Sequence, residues 1–552
     1  MSRQLEFTVG GLLDHIARRY PDHDALVYPD QGLRYSYEAF NALCRRVAKG
    51  LLNLGIRKGD KVAIWAYNVP EWVLLQFATA KIGAILVTIN TSYKSAELEY
   101  ILQQSDATTL FLVRSFKDTD YVDTLTGVVP ELDSSEFGKL ESQRLPCLKN
   151  VIFIGDQTPS GMLNFSALSE LGDLISDEAL AKVETNLERH EVINMQYTSG
   201  TTGFPKGVML THLNVVNNGF NIGECMRFTE NDRLCIPVPF FHCFGCVLGV
   251  MACVTHGAAM VPVEIFAPQR VLKTIEAERC TAVHGVPTMF IAELEHPDFS
   301  TFDLSSLRTG IMAGSPCPIE VMKRVIRDMH ASEITIAYGQ TESSPVITQT
   351  RTDDPIELRV ATVGRALPDV EVKIVDIETG ETLPPGKQGE LCTRGYLVMK
   401  GYYKMPDETS KAIDADGWLH TGDLAIMDEN GYCKITGRIK NMIIRGGENI
   451  YPREIEEFLY THPSISDVQV YGVPDRRYGE QVMAAIILKQ GSVMAESDVL
   501  EFCRGKIANY KIPTYVKFVE SYPMTASGKI QKFKLREMAI KELHLEDAGQ
   551  TA

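Results

Sequence analysis

The chain has 552 residues, of which 45% are apolar and 23% are charged, and its net charge at pH 7 is −16. A chain of this length does not fold around one hydrophobic core, so two or more domains are expected. The negative balance argues against nucleic acid or anionic lipid as the main partner. Residues 439–552 contain fifteen basic and fifteen acidic residues, so the excess charge lies in residues 1–438. The last part of the chain is therefore expected to have its own surface chemistry.

The cysteines and the N-terminal segment indicate the cellular compartment of the protein. Twelve cysteines are scattered without a repeating framework, which is typical of a reducing compartment. The N-terminal segment has no hydrophobic signal core and runs directly into an amphipathic helical pattern. The sequence therefore predicts a cytoplasmic protein.

The first half of the chain alternates short apolar runs with helical stretches. Strands are predicted at KVAIWA (61–66), ILVTIN (85–90), TLFLV (109–113) and VIFIG (151–155). Helices are predicted at EWVLLQFATAKIG (71–83) and SAELEYILQQ (95–104). Strands that alternate with helices predict an α/β fold with a substantial parallel sheet.

An uncharged stretch of thirty residues, 234–263, has several interpretations. Its length satisfies the criterion for a membrane span, but two prolines interrupt its start and no aromatic or basic belt flanks it. It also contains four residues with the spacing of a zinc site or a redox pair: Cys243, Cys246, Cys253 and His256. They lie in an apolar run, whereas zinc ligands normally lie on polar turns. We interpret the stretch as a buried helix beneath a pocket and expect no integral membrane span.

From Val363 onward, short strands separated by Gly, Pro and Asn turns replace the alternating pattern. These strands are VEVKIVD, GELCTRG, YCKITGR and NMIIRGG, and they predict a small β-rich unit. After Tyr451 come a helix, two strands, another helix and a basic tail. We place the boundary at 438–440. The prediction is a large N-terminal domain of layered α/β subdomains plus the β-rich unit (1–438), followed by a smaller α+β domain (439–552).

The stretch YTSGTTGFPKG (197–207) is rich in glycine, hydroxyl groups and one lysine. Glycines let the backbone present its N–H groups, and hydroxyls and lysine add donors and charge, which together can hold phosphates. The stretch differs from the G-x-x-x-x-G-K-[ST] loop, because Lys206 is preceded by proline and followed by glycine. A flexible turn is the alternative.

Five motifs, in order, resemble those of the adenylate-forming superfamily: acyl- and aryl-CoA ligases, firefly-type luciferases and peptide-synthetase adenylation domains. The motifs are YTSGTTGFPKG (197–207), AYGQTE (337–342), GWLHTGDLA (417–425), GRIKNMIIRGGENIYPREIE (437–456) and PMTASGKIQK (523–532). The resemblance extends from the region around Asp60 to Arg536 and is strongest to medium- and long-chain fatty acyl-CoA ligases. It implies ligation of an acid to CoA with ATP and Mg²⁺, and a mobile C-terminal domain.

The resemblance also implies how ATP is bound. The residues at its β- and γ-phosphates would be Thr198, Ser199, Gly200, Thr201, Thr202, Gly203 and Lys206. In AYGQTE, which includes Gly339 and Gln340, Tyr338 would stack on adenine and Thr341 would contact the α-phosphate. Glu342 would hold Mg²⁺, a hard cation that prefers carboxylate oxygen. Asp423 and Arg438 would contact the ribose. Taken singly, each of these residues has an ordinary structural role as its alternative.

The resemblance implies two catalytic arrangements of the C-terminal domain. Lys529 would bridge the incoming carboxylate and the α-phosphate during adenylation, with a solvated lysine in a basic tail as the alternative. Lys440 would be the hinge, and rotation there would bring Gly447 to a narrow tunnel for CoA. Ile444 replaces a lysine of the luciferases, which disfavours a luciferase-like oxidation.

The acid substrate is less closely defined. His242, in PFFHCFG, aligns with the residue that lies beside the acyl carboxylate in the family, although a hydrogen-bonded core histidine is the alternative. PFFHCFG has no acidic residue for an α-amino group, so an amino-acid substrate is disfavoured. Acetate-specific relatives have tryptophan where this chain has Gly339. The pocket residues would be Phe241, Val247, Gly314, Ser315 and Gly339. A fatty acid of medium or longer chain is predicted, with an aryl or alicyclic acid as the alternative.

The expected partners are small molecules: a fatty acid, ATP and CoA. Pro523, Gly528 and Lys529 have the spacing of a site that is acetylated in some bacterial acyl-CoA synthetases, so a lysine acetyltransferase is a candidate partner. A homodimer and a carrier protein in place of CoA are also open. The competing classes are a non-catalytic nucleotide-binding protein on the same fold and a membrane protein anchored through 234–263.

Overall fold

The chain folds into two compact units. The computed structural model describes residues 4–198, 205–314, 317, 319–445, 448–504, 506–525 and 530–545. The first unit is Met1–Val372 with Thr393–Leu419, and the second is Lys373–Cys392 with His420–Ala552. This division assigns residues 373–392 and 420–438 to the second unit, whereas the sequence places both ranges before the 438–440 boundary. The hinge at 438–440 stays a prediction.

Helices and strands are distributed along both units. The helices are α1 Val9–Arg19, α2 Tyr37–Asn53, α3 Pro70–Ile82, α4 Ser95–Ser105, α5 Tyr121–Val128, α6 Ala167–Asp173, α7 Asp177–Glu184, α8 His212–Cys225, α9 Ala252–His256, α10 Pro268–Glu278, α11 Pro287–Leu294, α12 Ile319–Asp328, α13 Ile356–Ala361, α14 Pro406–Ala412, α15 Pro452–Leu459, α16 Glu496–Cys503 and α17 Lys532–Glu542. The strands are β1 Asp24–Tyr28, β2 Leu33–Ser36, β3 Lys61–Trp65, β4 Ile85–Thr88, β5 Ala107–Val113, β6 Ser115–Phe116, β7 Thr119–Asp120, β8 Asn150–Ile154, β9 Leu163–Asn164, β10 Val192–Thr198, β11 Lys206–Thr211, β12 Arg233–Ile236, β13 Ala259–Pro262, β14 Ala282–Gly285, β15 Thr309–Ala313, β16 Thr335–Gly339, β17 Val346–Gln349, β18 Arg365–Ala366, β19 Val370–Val375, β20 Gln388–Gly395, β21 Gly401–Tyr402, β22 Leu419–Met427, β23 Cys433–Arg438, β24 Ile443–Arg445, β25 Glu448–Ile450, β26 Ile465–Asp475, β27 Gly479–Leu488 and β28 Tyr515–Phe518.

Two large sheets organise the first unit. Their strand orders are β18-β17-β16-β15-β14-β12-β13-β1-β2 and β21-β11-β10-β4-β3-β5-β8-β9. In the second of these sheets β10, β4, β3, β5 and β8 run parallel, and β11 is antiparallel to β10. All four strands predicted from apolar runs lie in this sheet, so the predicted parallel α/β arrangement is confirmed.

Helix α3 is buried on every side, in agreement with its nearly continuous apolar sequence. Lys81 near its end has a fully buried side chain. The ammonium lies 2.8 Å from Asp14 Oδ1 and 3.4 Å from Glu184 Oε1, and donates to the Gly10 carbonyl at 3.3 Å. Because a buried ammonium is stable only when it is paired, these contacts tie α3 to α1 and α7.

The second unit combines two small sheets with helices. One sheet has the order β19-β20-β22-β23, and the other has the order β25-β24-β27-β26 with β28 parallel to β27. Ile455 and Leu459 of α15 are buried in one core with Val470 of β26 and Ile486 of β27. The predicted helix and strands after Tyr451 are thus confirmed.

The uncharged stretch 234–263 is buried as predicted, but it is not one helix. It begins within β12 and ends beyond β13, which are parallel neighbours in the nine-stranded sheet. A π-helix, Phe244–Met251, and α9 connect the two strands. A nearly continuous apolar run has no clear periodicity, so its sequence does not distinguish strand from helix.

Nothing in the described residues of this stretch supports a membrane span or a zinc site. Among the residues described, none of the helices has the length and apolar character needed to cross a bilayer. Cys243 Sγ donates to Gln196 Oε1 at 2.9 Å, and Gln196 Nε2 donates to Cys246 Sγ at 3.0 Å. His256 lies 3.3 Å from Glu224 Oε1. Across the described ranges these four candidate zinc ligands form no metal-compatible group, and all twelve cysteines are free thiols.

A buried acid on α11 predicts a pH-dependent stability. The Glu293 side chain is 1% exposed, its Oε2 has no hydrogen-bond partner among the described residues, and burial raises its pKa to about 8. Between its ordinary pKa and pH 8 the folded state keeps a proton that the unfolded state releases. The free energy of unfolding therefore falls as pH rises through this window, by on the order of 1 kcal/mol per pH unit.

Glu293→Gln removes this proton linkage while keeping the side-chain shape. We expect the thermal midpoint of the variant to exceed that of the wild type increasingly from pH 5 to pH 8. Scanning calorimetry across that range measures the difference. Glu295→Gln, which changes an exposed acid two residues away, is the control. Parallel pH profiles for the wild type and Glu293→Gln would show that Glu293 is ionised in the folded protein.

Candidate active site

A β-hairpin in the first unit carries both ends of the glycine- and hydroxyl-rich loop. Thr198, the last residue of β10, lies opposite Lys206, the first residue of β11. Since β10 is parallel to β4, Thr198 lies at the carboxyl edge of the parallel sheet, where α/β proteins commonly bind ligands. The predicted phosphate contacts Ser199, Gly200, Thr201, Thr202 and Gly203 lie outside the described residues.

Lys206 lies between an acid and an aromatic ring. Its ammonium forms an ion pair with Glu408 at the start of α14 and lies 4.9 Å from the centroid of the Tyr402 ring. Hydrogen bonds from Lys206 and then Lys411 lower the pKa of Glu408 to about 2, so this acid is an anion at neutral pH. The pairing of β11 with β21, in which Val208 lies opposite Tyr402, fixes this arrangement.

Glu342 joins the same cluster through Tyr402. The Tyr402 hydroxyl donates to Glu342 Oε1 at 2.8 Å, and the Met399 N–H donates to the Glu342 carbonyl at 2.9 Å. Burial and the neighbouring carboxylate raise the pKa of Tyr402, so its hydroxyl remains a donor. Glu342 Oε2 has no hydrogen-bond partner within the described part of the chain. A lysine, an aromatic hydroxyl and a carboxylate are thus linked at Lys206, near the C-terminal end of the glycine- and hydroxyl-rich stretch.

The segment before Glu342 makes a tight turn after β16. Thr341 begins a 3-10 turn, Thr341–Ser343, and the Gln340 N–H donates to Ser343 Oγ at 3.1 Å. Tyr338 pairs with Thr348 of β17. A Cβ atom on Gly339 would lie 1.8 Å from the Pro345 carbonyl oxygen. This backbone approach alone requires glycine at 339, so the residue is not by itself evidence for an open acyl pocket.

The predicted acyl-site residues lie along the start of the uncharged stretch. The Phe241 carbonyl accepts from Thr88 Oγ1 at 2.8 Å, and the Phe244 N–H donates to His242 Nδ1 at 3.1 Å. Val247, on the π-helix, is 1% exposed. It borders a cavity of about 10 Å³, which has room for about one water molecule. An acyl chain needs much more space than this one cavity offers.

Gly314 and Ser315 follow β15. Gly314 has a φ of +90°, a conformation that favours glycine, and a Cβ atom there would lie 3.1 Å from Val286 Cγ1. Ser315 lies outside the described residues. A turn requirement thus explains Gly314, and its place in an acyl pocket stays a prediction.

The second unit holds the predicted ribose contacts. Asp423 of β22 lies opposite Arg438 of β23, and Arg438 Nε is 2.7 Å from Asp423 Oδ1. The Asp423 side chain is 4% exposed, and its backbone N–H donates to Thr421 Oγ1 at 3.1 Å. Since a buried carboxylate is costly without a charged partner, the two residues form one structural unit.

The predicted residues of the C-terminal domain are only partly described. Lys440 is exposed in a 3-10 turn, Ile439–Asn441, two residues after Arg438. Gly447 and Lys529 lie outside the described residues. Met524 and Ile530, on either side of the segment that carries Lys529, form an antiparallel bridge. The roles of Lys440, Gly447 and Lys529 stay predictions.

Lys206, Glu408, Tyr402 and Glu342 together form what we call the Lys206 cluster. Two of its members, Tyr402 and Glu408, were not identified from the sequence. Tyr402 contacts Glu342 across 60 positions, and Glu408 contacts Lys206 across 202 positions. The signal that could have found them is GYYKMPDET (401–409), in which proline and two acids begin a helix beside a Gly-Tyr pair. This stretch predicts where a helix begins, but only the β11–β21 pairing shows that Tyr402 and Glu408 lie beside Glu342 and Lys206.

Comparisons with known proteins match almost the whole chain. The family described as AMP-binding enzyme matches residues 13–403, and the family described as AMP-binding enzyme C-terminal domain matches residues 454–529. YngI of Bacillus subtilis (strain 168), whose name assigns it provisionally to the acyl-CoA synthetases, is 60% identical over 545 residues, 99% of each chain. The mitochondrial medium-chain acyl-CoA ligase ACSF2 of Bos taurus is 43% identical over 543 residues, 98% of this chain and 88% of the relative.

Solved structures extend the likeness to the fold. The anthranilate CoA ligase AuaEII, determined with anthranoyl-AMP, superposes with a TM-score of 0.84 at 28% identity. The match covers 98% of this chain and 99% of AuaEII. The predicted α/β class with a large N-terminal domain and a smaller C-terminal domain is confirmed.

Proposed function

The chain belongs to the AMP-binding enzyme family, and from this premise we propose that it is an AMP-forming acid–CoA ligase for fatty acids of medium or longer chain. The proposal is supported by relatives named as an acyl-CoA synthetase and a medium-chain acyl-CoA ligase, which match nearly the whole chain. The observation that carries it is the linkage of Lys206, Tyr402 and Glu342 beside a glycine-rich loop.

The reaction has two steps that share one carbonyl carbon. A carboxylate oxygen attacks the α-phosphate of ATP, which gives an acyl-adenylate and releases pyrophosphate. The CoA sulfur then attacks the acyl carbon, and AMP leaves with the carboxylate oxygen. A free carboxylate would have to expel oxide, whereas an acyl-adenylate expels AMP, which is a far better leaving group. ATP cleavage therefore allows a thiol to form the thioester. The two steps need different groups at one carbon, which is a physical reason for a mobile domain.

Phosphate binding is assigned to the first unit. Lys206 and the loop from Thr198 neutralise the β- and γ-phosphates, and Thr341 contacts the α-phosphate. The donor set fits Mg²⁺, because Glu342 offers a carboxylate oxygen that has no partner among the described side chains. Bound Mg²⁺ would supply charge neutralisation at the phosphates. Tyr402 orients the Glu342 carboxylate, and Glu408 holds Lys206 until phosphate replaces it.

Nucleoside binding is assigned to three side chains. Asp423 accepts hydrogen bonds from the two ribose hydroxyls, since a carboxylate suits a vicinal diol, and Arg438 holds Asp423 in place while it adds a ribose contact. Tyr338 stacks on adenine. Gly339 and Gln340 carry the backbone between Tyr338 and Thr341, and the approach to Pro345 explains why residue 339 lacks a side chain.

The C-terminal domain supplies the groups that distinguish the two steps. Lys529 bridges the carboxylate and the α-phosphate during adenylation. Rotation at Lys440 withdraws it and brings Gly447 to the site, where the lack of a side chain leaves room for the pantetheine arm of CoA. The match of the C-terminal family description to residues 454–529 includes Lys529, which supports its place in the C-terminal domain, whereas Lys440 and Gly447 precede the matched range.

The acyl site is assigned to the segment that includes Phe241, His242 and Val247, with Gly314 and Ser315 nearby. His242 lies beside the acyl carboxylate. An aryl acid is the second candidate, which the likeness to an anthranilate CoA ligase favours. A cytoplasmic location, a homodimer and acetylation of Lys529 by a lysine acetyltransferase also stay proposals. The twelve free thiols support the first of these.

A panel of acids tests both the activity and the pocket. Acetate, butyrate, octanoate, palmitate and benzoate are each supplied with MgATP, and pyrophosphate release and CoA-dependent AMP formation are scored separately. We expect octanoate or palmitate to give the highest kcat/KM. Val247→Trp should lower kcat/KM for octanoate about tenfold more than for butyrate, because one misfitted methylene group costs about 1–3 kcal/mol in an apolar pocket.

Val254→Trp, which enlarges a buried residue of α9, is the control for overpacking of the same stretch. It should change kcat/KM for octanoate and butyrate by the same factor. A preference for benzoate would favour the aryl candidate, and the absence of pyrophosphate release with every acid would favour a non-catalytic nucleotide-binding protein.

A further inference from the structure

Three different metal-ligand groups meet on the sheet β19-β20-β22-β23 of the second unit. They are the carboxylate of Glu390, the thiol of Cys392 and the imidazole of His420, and their ligand atoms lie within 4.8 Å of one another. His420 Nδ1 is 2.9 Å from Glu390 Oε2 and 3.4 Å from Cys392 Sγ. We propose that these three side chains form a zinc-binding site, which is separate from the Mg²⁺ role assigned to Glu342.

Regular strand geometry brings the three groups together. Glu390 and Cys392 are two residues apart on β20, so their side chains lie on the same face of the sheet. His420 belongs to β22, the neighbouring strand. Cys392 is buried, whereas the side chains of His420 and Glu390 are 33% and 13% exposed. The site is therefore fixed on its inner side and open to solvent on its outer side, where water can serve as the fourth ligand.

One of the three ligand separations already agrees with tetrahedral zinc coordination, and all three lie within 4.8 Å. Zn–S bonds of about 2.3 Å and Zn–N or Zn–O bonds of about 2.0–2.2 Å place the ligand atoms about 3.3–3.6 Å apart. The separation of His420 Nδ1 from Cys392 Sγ already falls in this range. The imidazole and the carboxylate need to separate by about half an ångström, which a small rotation of the partly exposed His420 side chain would supply.

A backbone contact orients the carboxylate. Glu390 Oε1 accepts from the Gly422 N–H at 2.9 Å, so Oε2 is the oxygen that faces His420. Hydrogen bonds of this kind to the non-ligating atom of a metal ligand are a regular part of metal sites in proteins. Gly422 and His420 both belong to β22, so the strand that carries the imidazole also holds the Glu390 carboxylate in position.

The ligand types select the ion. Thiolate and imidazole favour Zn²⁺ over Mg²⁺ and Ca²⁺, which prefer sites built only of oxygen. Zinc binding would displace the thiol proton of Cys392 and require the imidazole proton to lie on Nε2. The thiolate and the carboxylate then balance the two charges of the ion. About one proton is therefore released for each zinc ion bound near neutral pH.

The test measures zinc binding by the full-length protein and does not depend on catalysis. Protein treated with a chelator is titrated with Zn²⁺ in competition with a chromophoric chelator, with and without millimolar Mg²⁺. We expect the wild type to bind zinc, and Cys392→Ser and Glu390→Gln to bind it about 100-fold more weakly. Cys147→Ser, which removes an exposed cysteine of the first unit, should bind zinc as the wild type does.

Cobalt provides a second measurement that needs only the wild-type protein. Co²⁺ bound by Cys392 should give a thiolate-to-cobalt charge-transfer absorption, which added Zn²⁺ removes. Equal zinc affinity of the wild type and Cys392→Ser would overturn the proposal. A cobalt spectrum without the thiolate band, or displacement of zinc by millimolar Mg²⁺, would overturn it as well. Failure of the zinc site would leave the proposed ligase activity untouched, because the acid panel measures that activity independently.

Discussion

Lys529→Ala is expected to lower the rate of acyl-adenylate formation by about 10²–10³-fold while leaving thioester formation from supplied acyl-adenylate nearly unchanged. Two unit charges about 4 Å apart repel by about 4 kcal/mol at an effective dielectric constant of 20, and about 1.4 kcal/mol corresponds to a tenfold change in rate. A lysine ammonium placed between the carboxylate and the α-phosphate offsets this repulsion. In the second step the sulfur attacks a neutral carbonyl carbon rather than an anionic phosphate, so that step does not need the ammonium.

The two steps are measured separately. Pyrophosphate release in the absence of CoA reports adenylation, and acyl-CoA formation from synthetic acyl-adenylate reports thioester formation. Lys534→Ala, which changes an exposed lysine on α17, is the matched control and should leave both rates near those of the wild type. Equal loss of both steps in Lys529→Ala would refute the assigned role and indicate a general effect on the C-terminal domain.

Glu342→Gln and Glu408→Gln should have opposite effects, although both change an acid of the Lys206 cluster. Glu342→Gln replaces a hard anionic ligand with a neutral amide, while its oxygen can still accept from the Tyr402 hydroxyl. We expect adenylation at low Mg²⁺ to fall about 100-fold, with recovery as Mg²⁺ is raised. Measurement of the rate against Mg²⁺ concentration separates loss of metal affinity from loss of catalysis.

Glu408→Gln removes the anion that pairs with Lys206 before phosphate arrives. Solvent screens a partly exposed ion pair of this kind, so the KM for ATP should fall by about fivefold at most, with the Mg²⁺ dependence unchanged. Equal losses of activity in the two variants would mean that both acids maintain the structure of the loop rather than act on ATP and Mg²⁺. Circular dichroism of each variant checks that the fold is retained.

Local pattern was sufficient to predict the strands of the parallel sheet and the order of the functional motifs. The runs at 61–66, 85–90, 109–113 and 151–155 are apolar because their strands are buried on both faces, and this requirement is visible in each run separately. Each of the five motifs is a continuous stretch of sequence, so the family and its acid–thiol ligation could be expected before any tertiary contact was known. The residues proposed to do the chemistry within each motif were assigned from the same resemblance.

Contacts between distant parts of the chain decided the secondary structure of 234–263 and the partners of the candidate site residues. The stretch 234–263 divides into strands, a π-helix and a helix because β12 and β13 pair with neighbouring strands, which an unbroken apolar run does not reveal. Gly339 reflects the approach of the Pro345 backbone, and no pattern within AYGQTE indicates that contact. Glu408 reaches Lys206, and Glu390 and Cys392 reach His420, only because strands pair in the folded chain. The sequence by itself determined which chemistry the chain encodes, since each motif is local. Only the tertiary structure decided which side chains pair with those motifs, because strand pairing joins residues that are far apart along the chain.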